Sequence, residues 1–121
     1  MPFFQLFLLF LSRRYGHVAS KRPRETGKRG FQSKFIKRLE SEFPGCKILK
    51  NDANYLQGIP DLTVFYGPHW AVLECKAYKD AEHQPNQDDY VAELDRMSFS
   101  RFVYPENEEE TINGLRSLFQ A

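Results

Sequence analysis

The sequence predicts a small mixed α/β domain, in which helices flank one β-sheet in the order α-β-β-β-α-β-α. Two segments rich in β-branched and aromatic residues, 61–66 and 70–76, follow each other across a Gly-Pro pair. Amphipathic helical periodicity precedes and follows these two segments. The length of 121 residues and the hydrophobic content of 41% fit one folded domain and argue against overall disorder.

The first helix is predicted over residues 31–43, because apolar side chains recur there at helical spacing and a Pro-Gly pair follows. These apolar residues are Phe35, Ile36, Leu39 and Phe43. A short strand is predicted over residues 46–50, before a polar segment that extends to Gly58.

The two β-rich segments predict a hairpin that is closed by Gly67 and Pro68. Glycine in the first central position is typical of a type II′ turn. This turn places Tyr66 opposite His69, and the same register continues until Asp61 lies opposite Glu74. Residues that oppose each other directly in an antiparallel pair have Cβ atoms about 4.5–5.5 Å apart.

The remaining elements are a helix, a strand and a final helix. The second helix begins near Pro85, a residue favoured in the first helical turn. Its predicted inward stripe consists of Gln87, Tyr90, Val91, Leu94 and Met97. A short strand is predicted over residues 101–104. The last helix begins near the acidic residues 108–110, and its inward face is formed by Ile112, Leu115, Leu118 and Phe119.

Residues 1–30 are predicted to form an extension outside the folded domain at 31–121. The apolar run at residues 3–11 is too short for a spanning helix and lacks the preceding basic region of a secretory signal. It fits a short segment packed on the domain, a membrane-surface anchor, or a non-native extension from an upstream start codon. We favour the last, because the polar stretch 15–30 separates the run from the domain.

Charge is distributed unevenly along the chain, although the formal net charge is only +1. Residues 12–50 contain twelve basic side chains against three acidic ones, whereas residues 51–121 contain five against thirteen. A basic segment of this kind favours polyanions such as nucleic acid. A solvated tail without a partner is the alternative.

The two cysteines, Cys46 and Cys75, lie 29 positions apart and match neither a disulfide framework nor a zinc-ligand spacing. This cysteine usage fits a reducing compartment, and we expect the protein to be cytoplasmic.

The predicted hairpin brings chemically active residues together at one end. Asp61 and Glu74 would repel each other unless positive charge lay between them. Mg²⁺ prefers hard oxygen ligands and typically takes one or two carboxylates, with waters and phosphate oxygens completing its shell. The backbone carbonyl of Cys75 is a further candidate ligand. Lys76 falls on the same face as Glu74, whereas the Cys75 side chain points to the opposite face.

Two carboxylates and a lysine in this arrangement are typical of phosphodiester cleavage, in which a metal activates water. A surface hairpin with an ordinary ion pair between Glu74 and Lys76 is the structural alternative.

The segments Gly58-Ile59-Pro60-Asp61 and Glu74-Cys75-Lys76, with the later Gln84-Pro85-Asn86-Gln87, resemble the PD-(D/E)xK nuclease superfamily. The fuller pattern is similar to the virus-type replication-repair (VRR-NUC) branch and to small phage endonucleases with Holliday-junction-resolvase-like folds. The resemblance covers roughly residues 31–121. It implies a restriction-endonuclease-like fold and an Mg²⁺- or Mn²⁺-dependent DNA endonuclease that acts on branched or flapped DNA, frequently as a homodimer.

The resemblance also implies roles for individual residues. Asp61 and Glu74 would be metal ligands, Lys76 the catalytic lysine, and Gln87 the glutamine that follows ExK in this branch. Family members often add a glutamate from the first helix, for which Glu40, Glu42 and Gln32 remain alternatives.

Four basic residues are candidates for phosphate contact, two at the end of the extension and two in the domain: Lys28, Arg29, Lys34 and Lys50. One competing functional hypothesis is a non-catalytic nucleic-acid-binding module that uses the basic segment. Another, a membrane-associated accessory protein, rests only on the apolar run at residues 3–11.

Overall fold

A computed structural model of the protein describes residues 27–121. The apolar run at residues 3–11 and the basic segment up to residue 26 lie outside the described residues. The predicted extension therefore falls outside them as far as residue 26. Among residues 27–121, no helix combines the length and the apolar character needed to cross a membrane.

The described chain forms a mixed α/β domain with three α-helices and a four-stranded sheet. Its elements are α1 (Lys28–Glu42), β1 (Lys47–Lys50), β2 (Leu62–Tyr66), β3 (His69–Cys75), α2 (Gln87–Met97), β4 (Ser100–Val103) and α3 (Glu108–Phe119). A short 3₁₀ turn, Pro105–Asn107, precedes α3. The predicted order α-β-β-β-α-β-α is therefore confirmed.

The sheet has the order β1-β2-β3-β4, with β1, β2 and β3 antiparallel and β4 parallel to β3. The hairpin register is the predicted one, since Tyr66 pairs with His69 and Leu62 pairs with Leu73. Gly67 has a φ of +60°, as the first central position of a type II′ turn requires. The parallel pairing of β4 needs a crossover, which the segment containing α2 provides.

The hydrophobic core lies between the sheet and the two outer helices α1 and α3. Its largest fully buried apolar side chains are Phe35, Leu39, Leu62, Leu73, Ile112 and Leu115. On the opposite side of the sheet, α2 packs against β3 and β4. The alternation of side chains along β3 directs Leu73 and Cys75 to the core, whereas Val72 and Glu74 point to the side of α2.

Most element boundaries shift by one to three residues from the sequence prediction, and one burial assignment differs. Helix α1 begins at Lys28 instead of residue 31, so Lys28 and Arg29 belong to the first helical turn and not to the extension. Strand β3 begins at His69 rather than at Trp70. The prediction that Met97 faces inward is wrong, because this last residue of α2 is 65% exposed.

Candidate active site

The candidate residues meet at one end of the sheet. Strand β1 ends there at Lys50, β2 begins there after Asp61, and β3 ends there just beyond Glu74. The first turn of α1 reaches the same end, because Lys28 contacts both carboxylates. Residues that are widely separated in the sequence therefore form one cluster at the mouth of the hairpin.

Asp61 and Glu74 are linked through the backbone as well as by proximity. The Asp61 amide donates to Oε1 of Glu74 at 3.2 Å, and the Cys75 amide donates to Oδ2 of Asp61 at 3.0 Å. Each carboxylate is thus fixed by an amide of the opposing chain segment. Hydrogen bonds of this kind favour the ionised carboxylate and define its orientation.

Lys28 lies between the two carboxylates. Its Nζ atom is 3.0 Å from Oε2 of Glu74 and 3.2 Å from Oδ2 of Asp61. The sequence assigns Lys28 to phosphate contact, and the structure instead pairs it with these acids. The separation of 46 residues between Lys28 and Glu74 explains the difference, because no local pattern reports a contact over that distance.

Lys76 and Gln87 form the inner part of the cluster. Nζ of Lys76 donates to Oε1 of Gln87 at 2.8 Å and to the Glu82 carbonyl at 3.0 Å, and it lies 3.6 Å from Oε2 of Glu74. Nε2 of Gln87 donates to that same Glu74 oxygen at 3.0 Å. Gln87 thus bridges the lysine and the carboxylate, as its place on the inward stripe of α2 suggests.

Burial distinguishes this cluster from a surface ion pair. Glu74 is fully buried and Lys76 is only 4% exposed. Buried charges are unfavourable unless they are paired and hydrogen-bonded. Glu74 and Lys76 are both paired and hydrogen-bonded by the contacts described above. The surface position in the alternative of a surface hairpin is therefore wrong, although Glu74 and Lys76 do form an ion pair at 3.6 Å.

Asp61, Glu74 and Lys28 lie close enough for their charges to affect the pKa values of Glu74 and Lys28. Burial and the neighbouring charge of Asp61 raise the pKa of Glu74, although Lys28 opposes the rise. Burial by itself would lower the pKa of Lys28, but the charges of Asp61 and Glu74 outweigh it and that pKa is raised. The site therefore favours a bound positive charge between its carboxylates.

Cys75 contributes to the site through its backbone only. Its side chain is fully buried in the hydrophobic core, as predicted, and burial raises the pKa of the thiol. Its amide points to Asp61.

The segment before Asp61 is fixed by a close approach to α2. Gly58 has a φ of +90°, and a Cβ atom there would lie 2.5 Å from Cβ of Asn86 and 2.6 Å from the Pro85 carbonyl oxygen. Only glycine fits this contact. Asn51 adds a second support, because its side chain donates to the Pro60 carbonyl at 2.9 Å. Both contacts position Asp61 relative to Glu74.

The donor set fits a small divalent cation. Asp61 and Glu74 already direct carboxylate oxygens to one positive centre, the Lys28 ammonium. Within residues 27–121, no group of three or more His, Cys, Asp and Glu side chains could hold a metal ion. Two carboxylates suffice for Mg²⁺, which usually retains waters and binds substrate phosphate as well.

The first helix supplies no glutamate to this cluster. Glu42 lies at the far end of α1, where it pairs with Arg38 at 3.4 Å and with Arg116 at 2.6 Å. Glu40 is exposed. Gln32 lies one helical turn after Lys28 and is half-buried, so it occupies the face of α1 nearest to the site.

The other candidate phosphate-binding residues are exposed. Arg29 and Lys34 lie on α1, and Lys50 is the last residue of β1. Lys50 pairs with Leu62, the neighbour of Asp61, which places its backbone at the same end of the sheet as the carboxylates.

Comparisons with family models, with curated proteins and with solved structures gave no match to this chain.

Proposed function

We propose that this protein is a Mg²⁺- or Mn²⁺-dependent DNA endonuclease of the PD-(D/E)xK type. The observation that carries the proposal is the convergence of Asp61 and Glu74 on a single positive centre, with the buried Lys76 ammonium 3.6 Å from the same Glu74 oxygen. Two acids and a lysine with these contacts match the requirements of metal-assisted phosphodiester hydrolysis.

In this proposal Asp61, Glu74 and the Cys75 carbonyl would hold the cation. When bound, the cation would supply Lewis-acid stabilisation of the phosphate and lower the pKa of a bound water. Asp61 and Glu74 keep their orientation through the amides of Cys75 and Asp61. No third side chain of the acidic or histidine class is required.

Lys76 has the role of orienting the attacking water or helping to remove its proton. Its position is fixed, since Gln87 and the Glu82 carbonyl accept its hydrogen bonds and its side chain is 5% exposed. Gln87 acts as a positioning residue, because it holds Lys76 and Glu74 at once. A catalytic group held in this way loses little entropy when the substrate binds.

Basic side chains on the exposed surface supply attraction to the DNA backbone. Arg29, Lys34 and Lys50 are the described candidates, and the basic segment that precedes α1 adds to them. Contacts of this kind are independent of base sequence and weaken steeply as salt rises. The resemblance to phage endonucleases and the VRR-NUC branch favours branched, flapped or junction DNA as the substrate, in phage replication, recombination or repair.

The state of the two cysteines indicates the cellular compartment in this proposal. Both cysteines are free thiols. A nuclease with reduced cysteines would act in the cytoplasm, which for a phage protein is that of the host cell.

A non-catalytic nucleic-acid-binding module remains the second candidate, and the excess of basic residues up to Lys50 favours it. The carboxylates distinguish the two functions. A module that only binds phosphates gains nothing from two acids at the mouth of its basic region, because they repel the ligand.

The test is cleavage of flapped, junction, nicked and linear duplex DNA by the full chain, with Mg²⁺, with Mn²⁺ or with chelator. We expect metal-dependent cleavage of at least one substrate. Lys76→Met and Asp61→Asn should each reduce the rate by 10²-fold or more, on the order of the usual contribution of such groups.

Lys79→Met is the matched control, because Lys79 is an exposed lysine three residues beyond Lys76. It should cleave like the wild type. Metal-independent DNA binding without cleavage, unchanged in Asp61→Asn, would instead establish the binding module.

A further inference from the structure

The position of Lys28 has a consequence for how a cation enters the site. Its Nζ atom contacts Oε2 of Glu74 at 3.0 Å and Oδ2 of Asp61 at 3.2 Å. A Mg²⁺ ion bound to these carboxylates would require oxygen distances of about 2.0–2.1 Å. The ammonium and the metal therefore compete for the same oxygen atoms, and they cannot be bound between the carboxylates together.

We propose that Lys28 is a built-in counter-ion of the metal-free site, which a divalent cation must displace from Asp61 and Glu74 in order to bind. This inference rests on the proposed function, because it takes the two carboxylates as the metal ligands. It adds that the Lys28 ammonium competes with the cation for the oxygen atoms of Asp61 and Glu74 and so lowers the metal affinity.

The surroundings of the two lysines support different roles for them. The Lys28 side chain is 42% exposed and lies in the first turn of α1. The Lys76 side chain is 5% exposed and is held by Gln87 and the Glu82 carbonyl. Among residues 27–121, displacement of Lys28 thus breaks only its contacts with the carboxylates, whereas displacement of Lys76 would disrupt the whole cluster.

Glu74 stays supported when Lys28 leaves. Its Oε1 atom accepts from the Asp61 amide and its Oε2 atom accepts from Gln87, with Lys76 nearby. The ammonium that leaves is replaced by a cation of higher charge. In the metal-free protein Lys28 neutralises the two carboxylates. Metal binding is weaker as a result, because it includes the loss of the ion pairs of Lys28 with Asp61 and Glu74.

The experiment measures the dissociation constant of Mn²⁺ for the full chain, from the spectroscopic signal of free Mn²⁺, without any DNA. Lys28→Met removes the competing charge, and Lys28→Gln removes it while keeping a polar side chain. We expect both variants to bind Mn²⁺ about tenfold more tightly than the wild type, which corresponds to about 1.4 kcal/mol.

Lys37→Met is the matched control, because Lys37 is an exposed lysine on the same helix and its replacement changes the net charge equally. Its Mn²⁺ affinity should equal that of the wild type. A similar tightening in Lys37→Met would mean that overall charge, and not the contact, governs affinity, and this would overturn the inference.

The role of Lys28 would be overturned if the folded Lys28 variants bound Mn²⁺ no more tightly than the wild type. The metal site itself would still be supported if the wild type bound Mn²⁺ and Asp61→Asn did not. Absence of Mn²⁺ binding in the wild type and in both variants would refute the metal site together with the inference. If the variants unfold in chelator, Mn²⁺ should restore their thermal transition, and failure of that rescue would also contradict the role.

Discussion

The Nζ atom of Lys76 donates a 2.8 Å hydrogen bond to Oε1 of Gln87, and both side chains are buried between the sheet and α2. The other end of the same amide donates to Glu74 at 3.0 Å. One neutral side chain therefore fixes a positive and a negative group at the same time. The backbone amide of Gln84 completes the arrangement, since it also donates to Oε1 of Gln87 at 2.8 Å.

Replacement of Gln87 by Met should reduce DNA cleavage about 10–100-fold, the usual effect of removing a partner that orients metal-site groups. Lys76 would lose an acceptor and Glu74 a donor, so the pH profile of kcat/KM should change as well. The measurement is the cleavage rate across pH with saturating metal. Gln84→Met is the control, because the Gln84 side chain is exposed. Equal rates in Gln87→Met and the wild type would contradict the positioning role.

Replacement of Gly58 by Ala should destabilise the protein more than replacement of Gly45. Both glycines have a φ near +90°, but an added Cβ meets nothing within 4 Å at Gly45 and collides with Asn86 and Pro85 at Gly58. Backbone strain alone costs about 1 kcal/mol, and the collision should add about 1–3 kcal/mol. Urea denaturation of the two variants measures the difference. Equal losses of stability would show that the segment before Asp61 moves away without cost.

The acidic side chain of Asp95 should make stability dependent on pH. Burial by itself would raise the pKa of Asp95, but the Ser100 amide, at 3.1 Å, and the Arg101 guanidinium outweigh it, and that pKa is lowered. A carboxyl whose folded pKa is lowered stabilises the fold above its unfolded value, here 3.8, and loses that effect as pH falls through the folded value.

Asp95→Asn should therefore be less stable than the wild type at neutral pH, by no more than about 1 kcal/mol for so exposed a pair. The difference should vanish at pH values below the folded pKa. Urea denaturation between neutral and acid pH measures it. Glu93→Gln, at an exposed position of the same helix, should show no such convergence. A constant difference between Asp95→Asn and the wild type would mean that the ionised carboxylate is not responsible.

The two thiols should react at very different rates. Cys75 is fully buried in β3, and its pKa is raised by burial and by the nearby charges of Asp61 and Glu74. Cys46 is partly exposed, and the pKa of its thiol is also raised, mainly by burial. A thiol reagent should label Cys46 in the native protein and Cys75 only after unfolding. Cys46→Ser should abolish native labelling, and rapid labelling of Cys75 in that variant would indicate that the end of β3 opens.

Local patterns in the sequence suffice for most of the fold. Alternation along 61–66 and 70–76 and the Gly67-Pro68 turn predict the hairpin and its register, because turn length and strand period together allow one pairing. That register places Asp61 beside Glu74, and the inward position of Gln87 follows from the helical stripe. Helix and strand boundaries shift by up to three residues, since caps and pairing partners decide where elements end.

Three features depended on the tertiary structure. The pairing of Lys28 with Glu74 links α1 to the end of β3, the collision that excludes a side chain at Gly58 involves the start of α2, and Glu42 is held by Arg38 and Arg116 away from the carboxylates. The contacts of Lys28 with Glu74, of Gly58 with Pro85 and of Glu42 with Arg116 join residues 27 or more positions apart in the sequence.

The sequence by itself therefore determined which acids and which lysine lie on one hairpin face, because the period of two acts within a few residues. Only the tertiary structure decided that these charges are buried, that a second lysine neutralises them, and which basic residues remain exposed. Burial and long-range ion pairs arise when separate elements pack together, and no periodicity along a single segment encodes them.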